Sequence, residues 1–332
     1  MRRSRLSALS LLLALVAACA TGASPTPTTA PTAARTPGPS PTPTTAALIL
    51  TDDEGTTFTL PGVPDEVVSL TPATTELLFA LGVGDKLAGR TDFDDYPADA
   101  LAAPVVATFE GVNVEQVVDI DPDLVIAGGN NFTPPDDISR LRELGIPVLV
   151  VYAVDVDGVL ADIRLIGVAV GAVAAADDVA ADIQDRIDEV TQAVAELERP
   201  RTFYEIGNVP EIYGPAPNSF VADMVVLAGG EPIVTTDPAV FSIPIERLVT
   251  EDPEVIVLGD AAYGVCPTDV VTRAGWAGMT AVSDGNVRPV DDIIVTRPGP
   301  RIGEGLAALA LAIHPDADIE PPTEGAEYCP TL

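Results

Sequence analysis

Aromatic and polar side chains that follow predicted strands are the residues of this chain best suited to bind a ligand. Aromatic rings offer a wide, rigid apolar surface to a flat molecule, and ordering them costs little side-chain entropy. Any single Phe or Tyr could equally pack in a core, so the inference depends on the whole set. The candidates are Thr71, Phe93, Tyr96, Phe109, Asn130, Asn131, Glu205, Tyr213, Phe241, Tyr263 and Arg297.

Arg297 and Arg301 flank the segment Pro298-Gly299-Pro300. An arginine that faces a cleft can hold a carboxylate or catecholate oxygen through paired hydrogen bonds, and the prolines stiffen the loop that carries Arg297. The alternative is that both arginines pair with acidic residues, of which the chain has 50. The sequence leaves the two interpretations open.

The usual signals of an enzyme or of a metal site are missing from the sequence. The chain has no nucleophile elbow or phosphate loop, and its one histidine, His314, precedes a proline near the C-terminus. The glycines Gly82 and Gly84 end a predicted helix, whereas a dinucleotide fingerprint opens one. Zinc or manganese needs several converging ligands, and the aspartates at 92–95 and 155–157 do not fit a calcium loop. We therefore predict no catalytic residues, no catalytic cofactor and no protein-held metal.

The charge of the chain excludes nucleic acid as a partner. The sequence has 17 basic and 50 acidic residues, and four of the basic residues lie within the first 46 positions, which leaves 13 for the rest. Such an acidic surface repels both phosphate backbones and anionic lipid headgroups.

The first 46 residues are typical of an export signal followed by a tether. Arginines precede the apolar run Leu6–Val16, which is too short for a permanent membrane span, and small residues then lead to Cys19. Val16-Ala17-Ala18-Cys19 resembles a lipobox, so we predict a signal peptide over 1–18 and a lipid on Cys19. The other interpretation is an ordinary signal peptide with an incidental cysteine. Residues 19–46, rich in Pro and Thr, predict an extended tether that holds the protein at the outer face of the cell membrane.

Strand and helix signals alternate through the next part of the chain. The strand Val67–Leu70 leads to Thr71 and Pro72, a favoured N-cap and first helical residue, and Glu76 is expected in the first turn. Gly82 is typical of a helix end. This alternation predicts an α/β lobe with a mainly parallel sheet. Further strands are predicted at Leu87–Gly89, Val105–Ala107, Leu124–Ala127 and Val148–Tyr152.

No proline interrupts the chain between Asp155 and Glu198, where apolar residues recur at helical spacing. A helix over Asp177–Glu198 would be about 33 Å long, enough to run along two lobes. Pro200 ends it, and strand signals then resume. The predicted parts of the body are an N-terminal lobe over 47–154, a connecting helical segment over 155–199 and a C-terminal lobe over 200–332.

Residues 112–128 recur without gaps as residues 243–259. Five of the seventeen positions are identical, and both segments predict a short helix, an Asp-Pro turn and a buried strand. The repeat pairs Glu115 with Glu246 and indicates two related lobes. We expect an α/β protein with two similar lobes, mainly parallel sheets, one long rigid connecting helix and a ligand cleft between the lobes.

Cys266 and Cys329 are the remaining cysteines. In an exported protein two such cysteines are more often bridged than free. We therefore expect a disulfide that pins the C-terminal tail to the loop at Cys266.

Several motifs resemble those of the substrate-binding proteins of ABC importers for vitamin B12 and ferric siderophores. Val67–Leu77 resembles their opening strand and helix, and Phe93–Pro97 resembles the tyrosine–proline loop of the B12 members. Asn113–Gly128 is similar to their helix–strand unit, and Arg297–Arg301 to the segment that enters their last helix. The resemblance extends over roughly 50–315.

The resemblance implies two α/β lobes that close only slightly on a ligand, with an aromatic side chain such as Phe109 beside it. It also implies that one glutamate on each lobe docks into an arginine pocket of the importer, here Glu115 and Glu246. Without the resemblance, two exposed glutamates that stabilise a helix N-terminus would be the simpler interpretation.

We expect a monomeric carrier that hands a metal chelate to a permease dimer with its ATPase subunits. Cobalamin or another corrinoid is narrowly favoured, although the single tryptophan, Trp276, departs from the B12 pattern. The alternatives are a ferric siderophore or haem bound by the same fold and, from another class, a structural or adhesive surface lipoprotein.

Overall fold

The structure is a computed structural model that describes residues 47–323 and 328–329. The predicted signal peptide, Cys19 and the tether lie outside the described residues. Within the described ranges, no helix is both long enough and apolar enough to cross a membrane.

Strands and helices alternate along most of the described chain. The strands are β1 (Leu48–Thr51), β2 (Thr57–Leu60), β3 (Val67–Ser69), β4 (Leu87–Thr91), β5 (Val105–Thr108), β6 (Gly111–Val112), β7 (Leu124–Gly128), β8 (Val148–Val151), β9 (Arg201–Glu205), β10 (Glu231–Pro232), β11 (Val255–Leu258) and β12 (Val287–Pro289). The helices are α1 (Pro72–Ala80), α2 (Val114–Ile120), α3 (Pro135–Glu143), α4 (Val156–Val170), α5 (Val173–Val194), α6 (Phe220–Leu227), α7 (Ile245–Glu251), α8 (Pro267–Val270), α9 (Thr280–Ser283), α10 (Asp292–Thr296) and α11 (Ile302–Ile313).

The N-terminal lobe contains a six-stranded sheet with the order β6-β5-β4-β3-β7-β8. Its neighbouring strands are parallel except for β5 and β6, and β1 and β2 form a separate antiparallel pair. Every residue of β7 is buried, as expected for a central parallel strand covered on both faces. The five strands predicted in this lobe are confirmed, and their ends differ by one or two residues from the prediction.

Helix α1 begins as its sequence predicts. The Thr71 side chain accepts a hydrogen bond from the backbone N–H of Thr74, and Pro72 is the first helical residue. The chain leaves the helix through Gly82, whose φ of 71° suits glycine. The expectation for Glu76 was wrong, because it is the fifth helical residue and its side chain is buried.

Two helices, α4 and α5, connect the lobes. The predicted connecting helix has the expected length of 22 residues but begins and ends four residues earlier, over Val173–Val194. Gly171, with a φ of 75°, ends α4, and the chain can therefore start α5 almost at once. The two helices pack closely where Gly167 meets Ala176, since any side chain at position 167 would collide with the alanine.

The C-terminal lobe contains a parallel sheet with the order β10-β9-β11-β12. Its α7–β11 unit repeats the α2–β7 unit of the first lobe. Both helices have seven residues, and each ends at an aspartate in the left-handed region, Asp121 with a φ of 56° and Asp252 with a φ of 47°. The internal repeat found in the sequence is therefore confirmed as a repeated structural unit.

A continuous apolar cluster joins the two lobes. It includes Leu77 on α1, Ile183 on α5, Val257 on β11 and Leu306 on α11. The opposite face of the six-stranded sheet and the rest of the C-terminal lobe have clusters of their own, and Trp276 lies in the latter. Because the lobes share a core, large changes in their separation would expose buried apolar surface.

Candidate functional site

Phe93 and Phe109 meet at the carboxyl end of the first sheet. Phe93 follows β4 and Phe109 follows β5, and parallel neighbours end at the same edge. Their ring centroids lie 6.5 Å apart with an interplanar angle of 83°, an edge-to-face contact. Phe109 is 90% exposed and Phe93 is 42% exposed, so this pair presents apolar surface to solvent.

The loop that carries Phe93 and Tyr96 is anchored by Asp94. One Asp94 oxygen accepts a hydrogen bond of 2.7 Å from the backbone N–H of Thr91. Burial raises the pKa of Asp94 to about 6, against the opposing effect of this hydrogen bond. Tyr96 precedes a cis proline, Pro97, and its ring is partly exposed.

Arg297 and Arg301 form ion pairs with the other lobe. Nη1 of Arg297 lies 2.6 Å from Glu76 Oε1 and 2.7 Å from Asp95 Oδ1. Arg301 donates to both Glu76 oxygens, at 2.8 Å from Nε and 2.7 Å from Nη2. Burial alone would lower the pKa of Arg297, but the hydrogen bonds to Asp95 and Glu76 outweigh it and raise that pKa. Of the two interpretations of these arginines, this structure has them paired with acidic side chains.

The guanidinium of Arg301 also lies over Tyr96, 4.3 Å from its ring centroid. This is a cation–π contact between the two lobes. The loop Phe93–Pro97 is therefore held by the C-terminal lobe at two neighbouring residues, Asp95 and Tyr96.

Glu205 lies in a buried charged network of the C-terminal lobe. Its two oxygens accept hydrogen bonds of 2.6 and 2.8 Å from Arg273, whose guanidinium stacks on Trp276 at 4.5 Å. Asn208 donates to Asp260 at 2.8 Å, and burial, followed by the charge of Glu205, raises the pKa of Asp260 to about 6. In this structure the Glu205 carboxylate therefore faces Arg273 inside its own lobe.

The aromatic candidates of the C-terminal lobe lie in two separate segments, one with Tyr213 and Phe241 and the other with Tyr263. Tyr213 forms bridges with Gly207 and Ser242, which brings it beside the half-exposed Phe241. Tyr263 follows β11 and is 85% exposed. All three residues lie in segments that follow a strand, and Tyr263 ends a short 3-10 helix.

The remaining candidates lie at the ends of β3 and β7. The Thr71 hydroxyl caps α1 and is buried, so its hydrogen-bonding capacity serves the helix. Asn130 and Asn131 are exposed with left-handed backbones, and Asn130 donates to the Tyr152 hydroxyl at 2.7 Å.

Glu76 is the principal residue of this region that sequence reasoning missed. It is the single charged residue of α1, among small and apolar neighbours, and that isolation is the signal that could have identified it. Asp95 and Tyr328 were also missed, since their partners are distant in sequence.

The C-terminal tail reaches the same part of the molecule. A disulfide joins Cys329 to Cys266, whose Cα atoms lie 5.7 Å apart. The neighbouring Tyr328 hydroxyl donates to Asp291 at 3.2 Å. Asp291 in turn caps α10, the helix that leads to Arg297.

Glu115 and Glu246 occupy equivalent positions on the two lobes. Each is the second residue of a seven-residue helix, and each is exposed. Across the described ranges, neither carboxylate belongs to an ion pair. Both glutamates are therefore accessible to a partner.

Comparison with known proteins gives a consistent picture. Residues 67–293 match the family described as periplasmic binding protein. The chain is 34% identical over 264 residues to an uncharacterized ABC transporter substrate-binding lipoprotein of Bacillus subtilis, with 78% of this chain and 82% of that one covered. It is 33% identical over 279 residues to a cobalamin-binding protein of Halobacterium salinarum, with 79% and 73% covered.

A solved structure of a vitamin B12-binding protein is also similar to this chain. The periplasmic vitamin B12-binding protein BtuF of Vibrio cholerae is similar at a TM-score of 0.67 and 25% identity, with 76% of this chain and 97% of that one covered. The chain therefore belongs to the periplasmic binding protein family, among the ABC-importer substrate-binding proteins related to the vitamin B12 binders.

Proposed function

We propose that this protein captures cobalamin or a related corrinoid outside the cytoplasm and delivers it to an ABC importer. The observation that carries the proposal is the exposed pair Phe93–Phe109 at the carboxyl end of the first sheet. Apolar rings held in water by a rigid sheet edge are typical of a surface that a ligand covers. Covering one Phe side chain contributes about 1.5–3 kcal/mol.

The position of the pair supports a ligand between the lobes. Phe93 belongs to the loop whose Asp95 and Tyr96 contact Arg297 and Arg301 of the C-terminal lobe. A ligand that covers Phe93 and Phe109 therefore lies close to the boundary between the lobes, where binding sites of two-lobed proteins are common.

The charges at this boundary favour a neutral ligand over an anionic chelate. Arg297 and Arg301 would be the natural partners of a carboxylate or catecholate, but Glu76 and Asp95 already occupy them. An anionic siderophore or haem would meet the negative charges of Glu76 and Asp95 at these arginines, or would have to displace one of the two carboxylates. The large, uncharged amide periphery of cobalamin avoids this cost, and the similarity to the Halobacterium protein supports the same ligand.

Delivery to the importer involves Glu115 and Glu246 in this proposal. Each would enter an arginine pocket on one half of a permease dimer, and the equivalent placement on the repeated units supports a two-fold partner. The protein would act as a monomer, held at the outer face of the membrane by a lipid on Cys19.

The test is a titration of the purified protein, followed by intrinsic fluorescence, with cyanocobalamin, haem, a ferric hydroxamate and a ferric catecholate. Saturable binding of cyanocobalamin alone supports the proposal. If haem or a ferric siderophore saturates the protein and cyanocobalamin gives no response, the compound that binds is the ligand and cobalamin is not. No saturable binding of any of the four, together with adhesion to a surface partner, would favour a structural lipoprotein.

A further inference from the structure

Glu76 is buried, yet it contacts the lobe to which it does not belong. Its carboxylate accepts three hydrogen bonds from arginines that lie 221 and 225 residues further along the chain. We propose that Glu76 is a positioning residue, which sets how the two lobes meet and so controls ligand affinity without contacting the ligand. The statement about affinity rests on the proposed function, whereas the statement about the lobes does not.

The two segments also pack closely at this point. Gly299, between the two arginines, lies against Ala73 of α1, and a Cβ added to Gly299 would come within 3.3 Å of the Ala73 carbonyl oxygen. Such close approach leaves little space for water between the segments. The Glu76 side chain is 1% exposed and those of Arg297 and Arg301 are 16% and 17% exposed, so these ion pairs are largely shielded from water and are strengthened by that shielding.

The charges at the contact depend on Glu76. Arg297 and Arg301 are both mostly buried and both pair with Glu76, and Arg297 also pairs with the half-exposed Asp95. Removing the Glu76 charge would take away the carboxylate that the two guanidiniums share. Because like charges repel in a partly desolvated site, the arginines would move apart.

Movement of the arginines would shift the loop Phe93–Pro97 and, with it, the exposed rings of Phe93 and Phe109. Arg297 holds Asp95 at 2.7 Å, and Arg301 lies 4.3 Å from the centroid of the Tyr96 ring. Phe93 is the start of the same loop and contacts Phe109. Glu76 thus contacts two arginines that each hold a residue of this loop.

The test compares Glu76→Gln with Asp52→Asn, a matched control inside one lobe. The Asp52 side chain is also fully buried and lies 2.6 Å from an arginine, Arg142. We would measure amide hydrogen exchange of the full chain by mass spectrometry, without ligand, and cyanocobalamin affinity by titration. Glu76→Gln should accelerate exchange at residues 93–97 and 297–301 and weaken cyanocobalamin at least about tenfold. Asp52→Asn should leave both segments unchanged and alter affinity by less than about twofold.

A double mutant separates positioning from general destabilisation. In an Arg297→Gln background, Glu76→Gln should weaken cyanocobalamin binding much less than it does in the wild type. One of the two arginines that Glu76 positions is then already absent. If Glu76→Gln does not fold, Arg301→Lys is used instead, since it keeps the charge but loses the paired hydrogen bonds. Arg301→Lys should accelerate exchange in the same two segments.

Unchanged exchange in both segments in Glu76→Gln, or in Arg301→Lys where that variant replaces it, would overturn the inference. Equal loss of affinity in Asp52→Asn would also overturn it, because the effect would then be general. Wild-type protein that binds no cyanocobalamin contradicts the proposed function, while the exchange experiment still decides whether Glu76 couples the lobes.

Discussion

Arg301 of the C-terminal lobe donates from Nε and Nη2 to the two carboxylate oxygens of Glu76, which is buried in α1 of the N-terminal lobe. This paired contact gives the segment Arg297–Arg301 a role in joining the lobes. It also supports the proposed neutral ligand, because the same contact engages the cations that an anionic chelate would use. Such geometry is the arrangement in which arginine and carboxylate bind most strongly.

Phe109→Ala should weaken cyanocobalamin by about tenfold, since the side chain is 90% exposed and is proposed to be covered by the ligand. The free energy of unfolding should change by less than about 0.5 kcal/mol, because little buried surface is lost. Calorimetric titration and urea unfolding measure the two quantities. Ile49→Ala is the control, since Ile49 is also highly exposed but lies on the β1–β2 pair. Equal loss of affinity in both variants would contradict a specific role for Phe109.

Replacing both Glu115 and Glu246 with alanine should leave cyanocobalamin affinity unchanged and abolish coupled uptake. Loss of two exposed helix-terminal charges should cost only a few tenths of a kcal/mol of stability each. Uptake by cells that carry the importer, compared with equilibrium binding, checks the prediction. The control replaces the exposed Glu143 and Glu231, one on each lobe, and should retain uptake. Normal uptake by the first variant would show that these glutamates do not dock.

Asp162 should make the free energy of unfolding depend on pH. Burial, followed by the charge of the neighbouring Asp53, raises its pKa from 3.8 to about 8. The folded protein therefore keeps a proton that the unfolded chain releases above about pH 4, so the free energy of unfolding falls as the pH rises through about 8. Asp94 and Asp260, with a pKa of about 6 each, act in the same direction at lower pH.

Asp162→Asn should therefore flatten the decline in stability between about pH 6 and about pH 8, as measured by urea unfolding. The matched control is Asp178→Asn on α5, where the aspartate is exposed. A wild-type slope in Asp162→Asn would show that Asp162 ionises normally in the folded state.

Reduction of the Cys266–Cys329 disulfide should lower the free energy of unfolding by about 2–4 kcal/mol, because the bond closes a loop with a sequence separation of 63. It should also free Tyr328 from Asp291. Urea unfolding with and without reductant measures the first effect, and the double variant Cys266→Ser/Cys329→Ser should match the reduced protein. Identical stability in all three samples would contradict this prediction.

The sequence predicted the fold well where the signals were local. Apolar runs identified β3, β4, β5, β7 and β8, and the repeated Asp-Pro turn identified the two α–β units, because burial and turn geometry depend on neighbouring residues. The start of α5 was misplaced by four residues, since residues 173–176 are small or apolar and could belong to either helix.

The contacts of the candidate site were harder to predict. The proximity of Phe93 and Phe109 could be predicted, because each follows one of two neighbouring parallel strands. The pairing of Arg297 with Glu76 could not, because 221 residues separate them and no local pattern links the two. The isolation of Glu76 as the one charged residue of α1 is the signal that could have indicated a buried partner.

Calorimetric titration of the purified full-length protein with cyanocobalamin decides whether this chain is a corrinoid carrier. We expect saturable binding at one site per chain with a Kd of about 1 μM or tighter, and a clearly weaker Kd for Phe109→Ala. Absence of saturable cyanocobalamin binding by the folded wild-type protein would contradict a role in corrinoid capture.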